Sequence, residues 1–532
     1  THNKHTNMGG KDALMTSTPY PTFVQTSPSS YRNLSAIGRC RISPSTLEGT
    51  IYPSVLSKCI EHASISSKTS GEAETQKPTP EQKKILKKLY KSSVGDLSIY
   101  LSRNPPNLNL DPSIVDVEIV LPIKDVISSD GLIATVFLDA GASHIVLDID
   151  CMDLLANADA NADANADANA DARALFLEAL ERTRLPRSRL IAHFSNMNLF
   201  GSQTMNKNML DCFRTALTLV NTVSISFQED IANHHLYPSS TILENVQAWL
   251  EVTHQYDDVG DVKLAIHLAP APAPAPPPTD DNTNCDKMTD LVAMISKECK
   301  GHVLVSLIDP TATELGLSYA ACCRSDRSDG FFTTVVVSRS NEALGLVYSS
   351  KGSIVASLEG TRAVYYSRSR SSLWRKGDTS GRFQTLHRID VDCDADALRF
   401  TVTQEGEDIK AFCHLNTYTC WGTTRGLRHL QETLIERVKH KPPEGSYTKR
   451  LLEDDQLLRD KLVEEAQELS EAVEKQDVAD EFADVLYFAM VKAAKAGVSF
   501  DDALSSLDLR ARKVTRRQGD SKAFRIQAGN AI

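Results

Sequence analysis

The stretch "VDCDADAL" (391–398) sets Asp392, Asp394 and Asp396 at alternate positions around Cys393, and "FCHLNTYTC" (412–420) adds Cys413 and Cys420. Carboxylates this close repel one another, and a bound cation is the simplest way to offset that repulsion. An EF-hand calcium loop does not fit. Counted from Asp392, the sixth position is Ala397 where the loop needs Gly, and the twelfth is Thr403 where it needs Glu; counting from Asp390 gives Ala395 and Thr401. Three thiolates suit zinc with a fourth position left for water, whose pKa then falls toward neutrality to give a hydroxide nucleophile. His414, beside Cys413, is placed to carry the proton. The aspartates suit a harder ion, Mg²⁺, which holds phosphate or orients substrate. On these residues alone, buried thiols next to a solvated acidic turn stand as the alternative.

A second set of acids has helical spacing. In "KLVEEAQEL" Glu465 and Glu468 are three apart and Glu464 and Glu468 four apart, so all three share one helix face. Glu481 and Asp484 repeat the three-residue spacing on the next helix, Asp484 lying in "FADVLYFAM" among residues that a bundle is expected to bury. Inward carboxylates on two facing helices make an oxygen-ligand site for a divalent cation. Glu464 is read either as a surface charge or as a participant. Between the two sets lie groups that suit phosphate. Arg368 and Arg370 share a face if "YYSRSR" is a strand, and "KGDTSG" offers Lys376, Thr379, Ser380 and Gly381. Trp374 suits either a stacked base or the core.

These residues must be positioned by a chain of 532 residues, 41% hydrophobic and 24% charged, with a net charge of -11 and eleven cysteines. Such a charge disfavours bulk attraction to nucleic acid or an anionic membrane, and no apolar run approaches the ~18 residues that span a bilayer. The sparse cysteines and the absence of an apolar leader in "THNKHTNMGG" point to a reducing, cytoplasmic setting, with an organellar transit segment as the lesser alternative. Residues 1–110 read as a largely disordered Ser/Thr/Pro-rich tail. Apolar runs such as "VEIVLPI" and "RLIAHF" alternate with helical stretches over 111–309, an α/β region. Two low-complexity inserts, "ANADANADANADANADA" and "APAPAPAPPP", interrupt it and read as surface insertions. A mostly-β stretch (310–435) and an all-α stretch (436–522) follow, then a short tail (523–532).

The run "GLVYSSKGSIVASLEGTRAVYYSRSRSSLWRKGDTSG", with "DCDADAL" and "CHLNTYTC", resembles the phosphoribosyl-AMP cyclohydrolase family. That resemblance implies zinc on Cys393, Cys413 and Cys420, Mg²⁺ on Asp392, Asp394 and Asp396, and a homodimer in which Cys393 faces Cys413 and Cys420 of the second subunit. It implies hydroxide attack that opens the N1–C6 bond of an N1-ribosylated adenine. Asp378 replaces the commoner Glu of the family's "KGETSG". The helical pattern EExxE…ExxD, with "SYTKRLLED" and "RARKVTRRQGD", resembles the MazG-like phosphoribosyl-ATP pyrophosphohydrolases. It implies Mg²⁺ on Glu465, Glu468, Glu481 and Asp484, Glu464 as a further ligand or water-orienting base, and Lys513, Arg516 and Arg517, with Arg512, as a phosphate-binding patch.

The order of segments resembles the front part of fungal multifunctional histidine-biosynthesis proteins, without the histidinol dehydrogenase domain that follows there. In the same terms, 111–309 resembles a degenerate histidine-pathway (β/α) barrel and is expected to be structural. The expected architecture is therefore multidomain α+β, with a barrel-like α/β region, a mostly-β cyclohydrolase and an all-α pyrophosphohydrolase. The expected substrates are phosphoribosyl-ATP and phosphoribosyl-AMP. Competing readings are a nucleotide-pool pyrophosphohydrolase with a metal-binding β domain, and an inactive scaffold.

Overall fold

A computed structural model describes residues 22–25, 39–42, 51–67, a few positions between 81 and 91, 116–150, 174, 177–195, 207–226, 239–254, 263–268, 283–299, 303–308, 310–360, 362–392, 394–406, 410–440 and 442–515. Both low-complexity inserts, and Cys393, Arg516 and Arg517, lie outside them.

The amino-terminal half is a closed barrel of eight parallel strands. In chain order it runs β1 (Thr22–Gln25), β2 (Arg39–Ile42), α1 (Ile51–Ser67), β3 (Asp116–Pro122), α2 (Ile123–Ser128), α3 (Leu132–Ala140) and β4 (His144–Asp150). It continues through β5 (Leu190–Ser195), α4 (Lys207–Leu219), β6 (Thr222–Ser226), α5 (Ser239–His254), β7 (Lys263–Leu268), α6 (Thr283–Glu298) and β8 (Val303–Ile308). β1 pairs with both β2 and β8, and so closes the ring. Ile119, Leu121, Ile145, Leu147 and Phe194 belong to the buried cluster that joins the strands to helices such as α3. The short apolar runs thus form strands covered by helices, as parallel sheets require. The expected tail is corrected here: β1, β2 and α1 all fall before residue 110. Their weak sequence pattern reflects short strands whose partners, β3 and β8, are distant in the chain.

The β module has α7 (Ala312–Cys322), β9 (Phe332–Val337), β10 (Ala343–Ser349), α8 (Lys351–Gly360), β11 (Val364–Ser367), β12 (Ser372–Arg375), β13 (Gln384–Val391) and β14 (Ala397–Gln404). Its main sheet has the order β10-β9-β14-β13, with β14 parallel to β9 and the other pairs antiparallel. Thr311 and Glu314 form a capping box that starts α7, which packs on α6 of the barrel and on α8. Tyr319 of α7 donates to the carbonyl of Ile389, so one helix serves both cores. Arg368 and Arg370 lie in the turn between β11 and β12, and not on a strand. Ser371, at φ +48°, closes that hairpin too early for "YYSRSR" to stay extended.

The carboxy-terminal helices are α9 (Gly426–His440), α10 (Tyr447–Glu453), α11 (Asp455–Glu471), α12 (Lys475–Lys495) and α13 (Phe500–Arg512). Asp454 caps α11 through the amides of Gln456 and Leu457, Ser499 and Asp502 form the capping box of α13, and Gly497 at φ +70° ends α12. Leu434, Leu451, Leu458, Phe488, Met490 and Val491 make their own small core. No helix among the described residues is long and apolar enough to cross a membrane.

Arginines join the modules. Arg428 of α9 reaches Glu342 before β10 at 3.0 Å and Asp501 of α13 at 3.2 Å. Arg512 is buried, pairs with Asp116 of β3 at 3.2 Å and donates to the Gly141 carbonyl. Asp139 accepts from the amides of Val514 and Thr515 and from the Thr515 hydroxyl. Arg512 is therefore spent on an interdomain contact and is withdrawn from the expected phosphate patch. Replacing it with Ala leaves Asp116 with Arg388 alone and should lower stability by about 1.5–3 kcal/mol. Amide exchange should rise around α3 and α13 while the sheet stays protected; unchanged exchange at both would contradict the contact.

Candidate active sites

The aspartate cluster sits in the turn joining β13 to β14. Asp392 Oδ1 accepts from the amides of Asp396 and Ala397 at 3.0 and 3.1 Å, and the Asp392 amide donates to the Ala397 carbonyl. Arg324, just after α7, grips the same turn by donating to the carbonyls of Asp394 and Ala395 at 2.6 and 2.7 Å. Ala395 takes the left-handed φ of +73°. The outcome is that oxygens of Asp392, Asp394 and Asp396 all lie within 4.8 Å of one another. Loss of water, then the charges of Asp394 and Asp392, push Asp396 up to about 6.

The thiols come from the segment after β14. Cys413 is buried and Cys420 exposed, and each thiol shifts the pKa of the other. The Leu415 amide donates to Cys413 Sγ at 3.5 Å and is the main cause of its lowered pKa; Thr417, Cys420 and Lys376 act in the same direction against burial. Burial, then the neighbouring Cys413, raises Cys420. His414 Nδ1 is 3.8 Å from Cys413 Sγ. Gly345 of β10 lets this segment approach: a Cβ there would stand 2.1 Å from the Phe412 ring.

Lys376 is buried beneath the thiols. Its Nζ donates to the Phe412 carbonyl at 2.5 Å and lies 5.1 Å from the Trp374 ring centre; burial lowers its pKa, and the charges of Cys420 and Cys413 hold it up. Trp374 packs at the core edge with Arg370 5.8 Å from its ring centre. Gly377 needs its φ of +97° and has no room for a Cβ, while Thr379, Ser380 and Gly381 are exposed along that turn. Arg368 lies 4.0 Å from the Tyr348 ring centre, and Arg327 lies 4.5 Å from it. Sequence reading missed Arg327, Arg324 and Arg362, which holds Asp378 at 2.8 Å. No local spacing marked them, since each acts across the fold.

On the helices, Glu465 and Glu468 of α11 meet Glu481 of α12 with oxygens within 4.8 Å. Glu465 is buried, and Glu481 Oε2 is buried without a hydrogen-bond partner. Burial, then Glu468, Glu465 and Asp484, raise the Glu481 pKa. An orphaned acid oxygen beside two more acids fits a divalent cation. Lys461 pairs with Glu465 at 2.7 Å and Glu464 at 2.9 Å; hydrogen bonds to these, Glu465 first, raise its pKa. Glu464 thus answers to Lys461 and stays outside the trio. Its spacing from Lys461 was a readable signal. Asp484 also stays outside the trio and is exposed, not buried: it shares a helix face with Phe488 and Val491 but lies a turn nearer the amino end of α12 than those core residues. Lys513 is exposed just past α13.

Residues 345–422 match the phosphoribosyl-AMP cyclohydrolase family, and 427–511 match the phosphoribosyl-ATP pyrophosphohydrolase family. A bifunctional histidine-biosynthesis protein, HisIE, of Thermoanaerobacter pseudethanolicus is 31% identical over 194 residues, which cover 31% of this chain and 87% of that protein. The chain belongs to this family of bifunctional histidine-biosynthesis proteins. Fungal relatives are closer in sequence. The bifunctional protein of Schizosaccharomyces pombe is 53% identical over 37% of this chain and 46% of its own length, and the trifunctional protein of Kluyveromyces lactis is 50% identical over 37% and 25%. The chain thus spans less than half the length of these fungal proteins, and the resemblance to their front part is consistent with both matches.

Protons would compete with any cation held by the aspartate turn. Mg²⁺ binding there should weaken as pH falls through about 6, and Asp396→Asn should flatten that dependence, as read by calorimetric titration at pH 5 and 7.5. Without metal, the raised pKa means this group's contribution favours folding at low pH and is lost as pH rises through about 6.

Proposed function

We propose that this chain hydrolyses phosphoribosyl-ATP to phosphoribosyl-AMP and pyrophosphate at the helical module, then opens the adenine ring of phosphoribosyl-AMP at N1–C6 in the β module. The observation that carries this reading is the coincidence of the two family matches with two separate ligand sets, the thiol–aspartate set and the glutamate trio. Glu465, Glu468 and Glu481, with Asp484 at the rim, would hold Mg²⁺ against the polyphosphate, and Glu464 orients the attacking water. Lys513, Arg516 and Arg517 would take the outer phosphates.

In the β module, Cys413 and Cys420, with Cys393, would hold zinc. Bound zinc supplies a water acidic enough to act as nucleophile near neutral pH. A thiol held below its usual pKa with a second thiol close enough to perturb it suits such an ion. His414 stands beside Cys413 to accept a proton, and Asp392, Asp394 and Asp396 would hold the second cation. Arg368 and Arg370, with the exposed Thr379, Ser380 and Gly381, offer the phosphate and ribose their charge and hydrogen bonds. Trp374 offers its ring to the base, and Lys376, fixed beneath it, braces the thiol loop. Leu415 and Trp421 expose 72% and 62% of their surface beside the thiols, which favours a homodimer that covers them and shares the zinc ligands.

Purified chain supplied with phosphoribosyl-ATP and Mg²⁺ should release pyrophosphate and then show the absorbance change of ring opening. Cys413→Ala should slow the second step by roughly 10²–10⁴-fold and spare the first; Glu468→Ala should do the reverse. Loss of both steps from either substitution in folded protein would refute the assignment of two sites. A nucleotide-pool pyrophosphohydrolase would instead cleave ordinary nucleoside triphosphates as readily.

A further inference from the structure

The thiol loop of the β module is held from outside that module. Backbone bonds shape it: the Cys413 amide donates to the Thr417 carbonyl at 3.2 Å and the Phe412 amide to the Tyr418 carbonyl at 3.3 Å. The Cys420 amide donates to the Leu344 carbonyl of β10 at 2.7 Å, and the Gln404 side chain of β14 donates to the Tyr418 carbonyl at 3.0 Å. Between these points His414, Leu415 and Asn416 are exposed, and Asn416 takes a left-handed φ of +65°. An exposed loop tied in this way depends on whatever fixes Tyr418 and Leu344.

Arg428 of α9 reaches toward both. Its guanidinium carbon lies 5.2 Å from the centre of the Tyr418 ring, within range of a cation–π contact. Nε donates to Glu342 at 3.0 Å, two residues before Leu344, while Nη2 donates to Ser340 at 2.8 Å and to Asp501 of α13 at 3.2 Å. The Arg428 side chain is only 11% exposed, so water screens these contacts little. The next turn of α9 repeats the grip: Glu432 accepts from the Thr424 hydroxyl, just past Cys420, at 2.6 Å. Arg428 and Glu432 thus reach across from the helical module, whose own carboxylates serve a different reaction.

We propose that Arg428 is a positioning residue for the ring-opening reaction. It fixes the thiol loop through Tyr418 and through Glu342 at the start of β10, so the helical module sets the geometry of the other module's thiols. This inference rests on the reading of the β module as the ring-opening site. A displacement of about 1 Å can cost a reaction roughly 10²-fold, and Arg428 secures the two residues whose carbonyls receive, or lie beside those that receive, the Phe412 and Cys420 amides. The planar fork matters as well as the charge: one guanidinium serves two carboxylates and an aromatic face, which the compact ammonium of a lysine matches only in part. Pyrophosphate release draws on Glu465, Glu468 and Glu481 of α11 and α12, so it should not register the same loss.

The test compares the full chain with Arg428→Ala, Arg428→Lys, Tyr418→Leu, and Arg428→Ala combined with Tyr418→Leu, using melting curves to check folding. Arg428→Ala should lower kcat for ring opening of phosphoribosyl-AMP by roughly 10–10²-fold with KM little changed, and leave pyrophosphate release from phosphoribosyl-ATP unaltered. In the metal-free chain, amide exchange over residues 412–420 should quicken while exchange in β13 and β14 holds. Arg428→Lys should recover part of the loss, and the combined variant should lose no more than Arg428→Ala, since Tyr418 acts through the same contact. Unchanged kcat, or unchanged exchange over 412–420, in Arg428→Ala would overturn the proposal. An equal fall in both reactions would also overturn it, because that marks an arginine needed only for folding. If the unaltered chain opens no ring, the reading of the β module fails instead, and exchange over 412–420 still decides whether Arg428 holds the loop. Should Arg428→Ala not fold, Tyr418→Leu carries the same readouts.

Discussion

Carboxylate oxygens packed to within 4.8 Å repel unless something rigid holds their backbones, and two such clusters set the terms for the carboxy-terminal half of this chain. At the first, the β13–β14 hairpin fixes both ends of the turn, Asp392 folds back onto its own amides, and Arg324 clamps the far carbonyls. At the second, two consecutive helices joined by residues 472–474 pack on Phe488 and Val491 and bring Glu465 and Glu481 together. Burial, then the neighbouring carboxylates, push the pKa of both Asp396 and Glu481 upward. A cation bound at either place would relieve the repulsion, and would couple stability to ion affinity there.

The frame around these clusters is built from long-range polar contacts as much as from core. Arg428 ties the β sheet to α9 and α13, while Arg512 and Asp139 tie the last helix to the barrel. Helix α7 belongs to two layers at once through its contacts with α6 and α8. Asp116 and Gly141, which take Arg512, lie at the amino ends of β3 and β4.

Much of the candidate chemistry was readable because it is local. Glu465 and Glu468 have helical spacing, as do Glu481 and Asp484 on the next helix, and the alternating aspartates sit in one turn. Three readings failed for reasons of the fold. Arg368 and Arg370 left the strand because Ser371 turns the chain, Asp484 stayed exposed because it lies a turn short of Phe488 and the small core, and Arg512 went to Asp116. The first two barrel strands were missed because four-residue strands give too short a pattern to read.

What the sequence determined by itself is the set of reacting groups and their near neighbours, since spacing along a helix or a tight turn fixes distance without help from the rest of the chain. Tertiary structure alone decided which of those groups meet. The thiols reach Lys376 only because Gly345 admits Phe412, and Arg428 meets Glu342, 86 residues before it, only in the folded chain. Contacts of that kind join residues far apart in the chain, and no periodicity encodes them.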